Sequence, residues 1–238
     1  MSPVTTTRSS APTRLTAWLQ GGQAPFLLLP WLRWVATLAG IGFLVVATAV
    51  VSGVTVATDD RIELAVHAAA NPLLDVLMPA LTVLGLIPTL TVIVVAAGVL
   101  LLRARRRFEA LLLVVVMLGE GVWDNLIKFG VHRRRPQLFP HAALSSFSFP
   151  SGHAMATLCL IGVLLVIVWA QFRPVWRWVF GIMAPILLLG IGLSRVYLGV
   201  HYPSDVVAGW CAGAAWLGAA LAGARRVAAR LTWSAKAG

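Results

Sequence analysis

Charge is what this chain has least of. Asp and Glu number eight in 238 residues, and all charged residues together make up 11%. A soluble domain is about one quarter charged, so the composition excludes a water-soluble globular fold. Cysteine is nearly absent. Cys159 and Cys211 are the two, both inside apolar runs, where they read as small packing residues rather than a disulfide or a metal site. No HExxH stretch and no dense set of carboxylates occurs. Zinc or paired-metal hydrolysis, which draws on three or more His or carboxylate ligands, is therefore not written here. What fills the chain is hydrocarbon: 59% of residues are hydrophobic and mean hydropathy is +0.88.

This predicts an all-α, polytopic membrane protein. The length suits one domain of about six spans at ~20 to 25 residues each, with no room for a second globular unit. Residues 1–30 are rich in Ser, Thr, Pro and Gly and read as a disordered cytoplasmic tail. Residues 31–225 form the six-helix membrane domain, and 226–238 a short basic cytoplasmic tail. The apolar runs are 34–56, 76–102 (interrupted by Gly85 and Pro88), 110–127, 153–170, 179–193 and 204–221. The first is too long for the apolar stretch of a cleaved signal, ~7 to 15 residues, and is expected to be retained. Between the first two runs, 57–75 reads as a short interfacial helix, capped by Asp60, with Ile62, Val66 and Ala70 on its apolar face.

Net charge is +11. A basic balance can serve nucleic acid, but the cations fall mainly in short loops, so no nucleic-acid partner is expected. Arg103, Arg105, Arg106, Arg107, Arg173 and Arg177 fall on one side and Trp34, Trp169, Trp176 and Trp178 near it. Excess Lys and Arg mark the cytoplasmic side and tryptophans its interface. Both termini are then cytoplasmic, in a multi-pass protein of the cell membrane. The cations left on the outer side run against that rule and become functional candidates. Arg133 and Arg134 have a plainer alternative, contact with lipid headgroups.

Those outer residues belong to three clusters. In the first, Lys128 ends the third span and Arg135 precedes Pro136. Proline pushes the residue before it away from helix, so a loop can turn the guanidinium back over the span ends. A planar fork and a point charge together suit phosphate oxygens. The second cluster is Pro150-Ser151-Gly152-His153. Ser151 can cap the fourth span, Gly152 admits close approach, and the free N–H groups of a first helical turn attract anions. The third is Ser194-Arg195, His201 and Asp205. A carboxylate four residues from a histidine can hold one ring nitrogen and leave the other to attack. A cap with an interfacial histidine, or a His–Asp pair tying a loop, would explain the second or third cluster taken singly. Together they are an inventory for gripping a phosphate and cleaving a bond to it at the outer membrane face. Glu120 and Asp124 lie within the third span, and an Asp124–Lys128 ion pair four apart is the favoured explanation for the latter. His67, His132 and His141 carry no motif and read as surface residues, His132 near the site entrance.

The order K-x6-RP, PSGH, SR-x5-H-x3-D, covering 128–205, resembles the type 2 phosphatidic acid phosphatase superfamily, which includes integral-membrane lipid phosphatases. The resemblance implies that His201 attacks phosphorus to give a phosphohistidine, that His153 protonates the leaving oxygen and that Asp205 orients His201. It also implies that Lys128, Arg135, Ser151, Gly152 and Arg195 hold the phosphate. No metal and no cofactor are expected. The implied partners are membrane lipids and a lipid phosphate or pyrophosphate substrate: polyprenyl pyrophosphate, phosphatidylglycerophosphate or phosphatidic acid. A phosphotransferase, passing the phosphoryl group to an alcohol, shares every motif residue. A non-enzymatic lipid transporter is the third reading. The sequence assigns no oligomeric state.

Overall fold

Apolar runs of about twenty residues can satisfy their backbone polar groups in hydrocarbon only as helices. The computed structural model, which describes residues 32–139 and 146–237, holds eight α-helices and one 3₁₀ turn among the described residues. They are α1 (Leu32–Val51), α2 (Val56–Ala68), α3 (Pro72–Val83), α4 (Ile87–Arg103), α5 (Arg107–Val131), α6 (Gly152–Val168), α7 (Pro174–Tyr197) and α8 (Pro203–Ala237). The expected tail at 1–30 and His141 lie outside the described residues. The basic segment after 225 continues α8 as helix.

Proline and capping chemistry set the breaks. Asn71 caps α3, its Oδ1 accepting from the N–H groups of Leu73 and Leu74, and Pro72 opens the first turn. Pro88 opens α4, Pro174 α7 and Pro203 α8. Helices α1, α5, α7 and the Pro203–Ala228 part of α8 are long and apolar enough to cross a membrane. The run at 76–102 is not one straight helix: α3 and α4 meet at a 48° bend and pass the same test only as a pair. Helix α6 is apolar but has 17 residues, just short of a full span. Leu38, Leu44, Val92, Leu100, Leu118 and Ile182 stand outward and exposed, a surface that hydrocarbon rather than water can cover. The chain is a multi-pass membrane protein.

The interior lies between α5, α6 and α8, where Leu113, Val116, Cys159, Leu160, Val163 and Leu221 pack together. Small residues let α8 approach closely. A Cβ on Gly209 would stand 2.6 Å from the Ser151 carbonyl oxygen and 3.0 Å from Ala154 Cβ, so the start of α6 docks on α8 only because that position is bare. Cys159 and Cys211 are free thiols.

Helix α2 departs from expectation. It starts at Val56 after Thr55, and Asp60 lies inside it rather than capping it. The expected apolar face holds only at Val66, which packs against Ala154, Val196 and Val206; Ile62 is 42% exposed, whereas Asp59 and Glu63, four apart, are 2% and 0% exposed. Arg133 and Ser204 supply polar partners for Asp59 there.

Candidate active site

Successive antiparallel helices bring the C-terminal ends of α5 and α7 and the N-terminal ends of α6 and α8 to one end of the bundle. Three contacts fasten them. The Ser151 N–H donates to the Asp205 carbonyl at 2.9 Å, joining the starts of α6 and α8. The segment leaving α5 is pinned to the one entering α6 by Ser148, whose N–H donates to Arg133 O at 2.9 Å and whose Oγ donates to Arg134 O at 3.0 Å. Gly199, in the left-handed region at φ +64°, turns the chain after α7 so that the Val200 and His201 N–H groups return to Arg195 O.

All eight candidate residues gather here. His201 and Asp205 are 3% and 0% exposed. Nδ1 of His201 faces Asp205 Oδ2 at 3.5 Å, and Asp205 Oδ2 also accepts from Tyr202 N–H at 2.9 Å. That His–Asp distance is long for a formed hydrogen bond but within the slack of ligand-free sites. The other nitrogen, Nε2, lies 3.3 Å from Arg135 Nη1, so the lone pair opposite Asp205 points at a cation. Arg135 is anchored by Ser146 O, Ser146 Oγ and Val200 O at 3.0, 2.9 and 2.6 Å. Its guanidinium is thus fixed by neutral oxygens, with no ion pair to a carboxylate among the described residues. Burial pushes the His201 imidazole down to about 4, against the opposing pull of Asp205, so it is neutral at pH 7.

Arg195 donates from Nη1 to Thr82 Oγ1 at 2.5 Å. His153 is half-buried, with its ring against the α3–α4 bend: a Cβ on Gly85 would stand 2.6 Å from His153 Cδ2. The charges of Arg195, Lys128 and Arg135 all lie within electrostatic reach of that ring. Lys128 pairs with Asp124 at 2.5 and 2.6 Å, as the spacing of four predicted. A Cβ on Gly152 would stand 3.2 Å from Asp124 Oδ2 and 3.3 Å from Lys128 Nζ. Glu120, 6% exposed, lies one turn before Asp124.

Ser151 occupies the cap position of α6, but its side chain makes no capping bond. Instead Ser151 Oγ, His153 Nε2, Arg195 Nε and His201 Nδ1 are buried without a hydrogen-bond partner among the described residues. Buried polar groups are normally satisfied; His201 Nδ1 faces Asp205, and the other three are the signature of a site shaped for a polar guest. Among the described residues no group of three His, Cys, Asp or Glu side chains is arranged to hold a metal.

Sequence reasoning missed Asp59 and His67, and left Arg133 a candidate with headgroup contact as its plainer alternative. Arg133 turns inward, Nη1 donating to Asp205 Oδ1 at 2.6 Å and Nη2 to Asp59 Oδ2 at 2.7 Å, while Arg134 is exposed. Asp205 and Asp59 outweigh burial and raise the Arg133 pKa. Asp59 also accepts from the N–H and Oγ of Ser204 at 3.0 and 2.6 Å. His67 is not a plain surface residue but stacks on Phe139, centroids 3.4 Å apart. The available signal was the pair Asp59 and Glu63, two of few acids in the chain, on one face of one helix.

Comparison with known proteins settles the lineage. The model of the PAP2 superfamily matches residues 109–227, half of the chain and every cluster described above. The chain belongs to the PAP2 superfamily. It is 31% identical over 173 residues to phosphatidylglycerophosphatase B of Bacillus subtilis, covering 72% of this chain and 85% of that one. It is 40% identical to the undecaprenyl-diphosphatase of Sulfolobus acidocaldarius over 73 residues, 31% of each chain. The crystal structure of the transmembrane PAP2-type phosphatidylglycerolphosphate phosphatase from Bacillus subtilis superposes with a TM-score of 0.72 at 28% identity, over 78% of this chain and 93% of that one. The all-α fold is therefore the PAP2 membrane fold, and the protein is a lipid phosphate or pyrophosphate hydrolase of that class.

Proposed function

We propose that this PAP2 enzyme hydrolyses a membrane lipid phosphate or pyrophosphate, without metal, through a phosphohistidine on His201. The observation that carries this reading is the His201 ring itself, with Nδ1 toward Asp205, Nε2 toward Arg135, and Ser151, His153 and Arg195 aiming partnerless polar atoms into the same space. In the first half-reaction the Nε2 lone pair attacks phosphorus, the bond to the lipid oxygen breaks, and His153 gives that oxygen a proton. In the second, water attacks phosphorus, the P–N bond breaks, and His153 takes the proton back. Asp205 holds the Nδ1–H tautomer and stabilises the charge that grows on the ring. Arg135, Arg195, Lys128, the Ser151 hydroxyl and the Gly152 amide neutralise the equatorial oxygens, which is the main demand of phosphoryl transfer.

A lipid substrate is supported by what lies beside the site. An apolar cavity of about 320 Å3 runs between α1, α5, α6 and α8, lined by Phe43, Trp123, Ile127, Met155, Ala212 and Trp216. Ile127 adjoins Lys128 in the chain and Met155 lies two residues past His153, and on this reading the cavity takes the hydrocarbon chain of a lipid whose headgroup is in the site. Phosphatidylglycerophosphate and polyprenyl pyrophosphate are the substrates of choice, on the names of the two relatives. We assign six spans, with the α3–α4 pair and short α6 among them. The termini are cytoplasmic and the site faces outward, since exposed arginines crowd the opposite end. The test is phosphate release from purified lipid phosphates, with and without EDTA. Turnover abolished by EDTA would reject the metal-free chemistry. Phosphate recovered on an alcohol acceptor rather than free would make the enzyme a transferase.

A further inference from the structure

A carboxylate can orient a histidine only if something orients the carboxylate. The bonds around Asp205 divide its oxygens: Oδ1 accepts from Arg133, and Oδ2 accepts from Tyr202 N–H and faces His201. Fixing Oδ1 therefore decides where Oδ2 points. Arg133 is held in turn. Its guanidinium lies over the Tyr202 ring, 4.0 Å from the centroid, and Nη1 also donates to Ser204 Oγ at 2.7 Å. Nη2 ends on Asp59, which uses both oxygens, one on Ser204 N–H and the other on Ser204 Oγ and Arg133. A planar fork holds two carboxylates at once in fixed directions, one on each arm; a rotatable ammonium does not fix those directions.

We propose that Asp59 is a positioning residue of the reaction: through Arg133 and Ser204 it sets the Asp205 carboxylate against His201, which makes α2 part of the catalytic apparatus. This rests on the phosphohistidine reading above. Asp59 draws one arm of the Arg133 fork away from Asp205. Without that pull the guanidinium closes on Asp205 with both arms and withdraws it from the imidazole. The loss falls on the chemical step and spares the groups that bind phosphate.

The experiment is steady-state kinetics of the full chain in detergent on one lipid phosphate, for Asp59→Asn, Ser204→Ala, Arg133→Met and the Asp59→Asn/Arg133→Met double variant, with His201→Ala alongside. Asp59→Asn is expected to lower kcat about tenfold or more with KM within about twofold, and the double variant to be no worse than Arg133→Met alone, since contacts of one network do not add. The pH profiles separate positioning from general instability. The charged and titratable groups facing His201 are Asp205 on α8, Arg135 on the loop after α5, Arg195 on α7 and His153 on α6. All four survive in these variants. Arg133→Met frees Asp205 to act on His201 and moves the acid limb of kcat/KM up; Asp59→Asn does not move it up. Wild-type kcat in Asp59→Asn, or losses that multiply in the double variant, would overturn the proposal. If Asp59→Asn does not fold, Ser204→Ala removes one link without a charge, and wild-type kcat in that folded variant overturns it equally. An active His201→Ala would instead sink the phosphohistidine reading, whatever Asp59 does.

Discussion

The two ends of the helix bundle are both rich in arginine, and they treat it oppositely. At the end built from the close of α4, the start of α5, the close of α6 and the start of α7, Arg103, Arg105, Arg107 and Arg173 are exposed. Arg106 is engaged there with a buried carboxylate, Glu109 at 3.2 Å, and also donates to Ile167 O at 2.9 Å. At the other end Arg135 and Arg195 are 9% and 7% exposed, and among the described residues neither is ion-paired to a carboxylate. Exposed cations beside tryptophans anchor a helix end at a membrane interface. Buried cations that are not ion-paired cost several kcal/mol each in desolvation, a cost that an arriving anion offsets. Number of positive charges does not distinguish these ends; burial and the placement of acids do.

That contrast can be broken at the site end first. His201→Ala is expected to reduce kcat by at least about a thousandfold, as removal of an attacking group does, in a phosphate-release assay with the folded state checked by thermal melt. Arg135→Ala removes one charge-stabilising donor and is expected to cost about a hundred- to a thousandfold in kcat/KM. Ser151→Ala sharpens the comparison differently. Its hydroxyl does not cap α6, so the melting temperature should hold, whereas loss of a true cap costs about 1 kcal/mol; the same variant should lose about tenfold in kcat if the hydroxyl meets phosphate. At the opposite end Arg106→Ala should do the reverse, lowering the melting temperature by stranding buried Glu109 while kcat stays within about twofold.

The pH profile follows from the same burial. An ordinary imidazole loses its proton near 6.5, and His201 is held at about 4. Its neutral, attacking form therefore persists as pH falls through 6.5 and is lost only near 4, which sets the acid limb of kcat/KM well below the value of a free histidine. An acid limb at 6.5 would place His201 in contact with solvent.

Much of this was legible in the sequence because membranes restrict the options. Scarce charge and long Leu/Val/Ile runs dictate helices, and three spaced clusters on alternate span ends must converge when neighbours run antiparallel. The structure duly gathers Lys128, Arg135, His153, Arg195, His201 and Asp205, and forms the Asp124–Lys128 pair the spacing predicted. What did not show was local. The bend between α3 and α4 places Gly85 under His153, a tertiary contact no periodicity reports. The inward face of α2 was misassigned in part because hydropathy treats Asp59 and Glu63 as solvent-seeking, and the partners of Asp59, Arg133 and Ser204, lie far along the chain. Ser151 looked like a cap by residue type, but its hydroxyl makes no capping bond in the folded structure. At α2 and at the α3–α4 bend, contacts distant in sequence outweighed a local preference.

The most direct test is to find the phosphoryl group itself. Wild-type enzyme mixed with a 32P-labelled lipid phosphate, quenched within one turnover under alkaline conditions and digested, should yield an acid-labile phosphopeptide carrying the label on His201, and His201→Ala should yield none. Label on any other residue, or full phosphate release by the His201→Ala enzyme, would contradict the account.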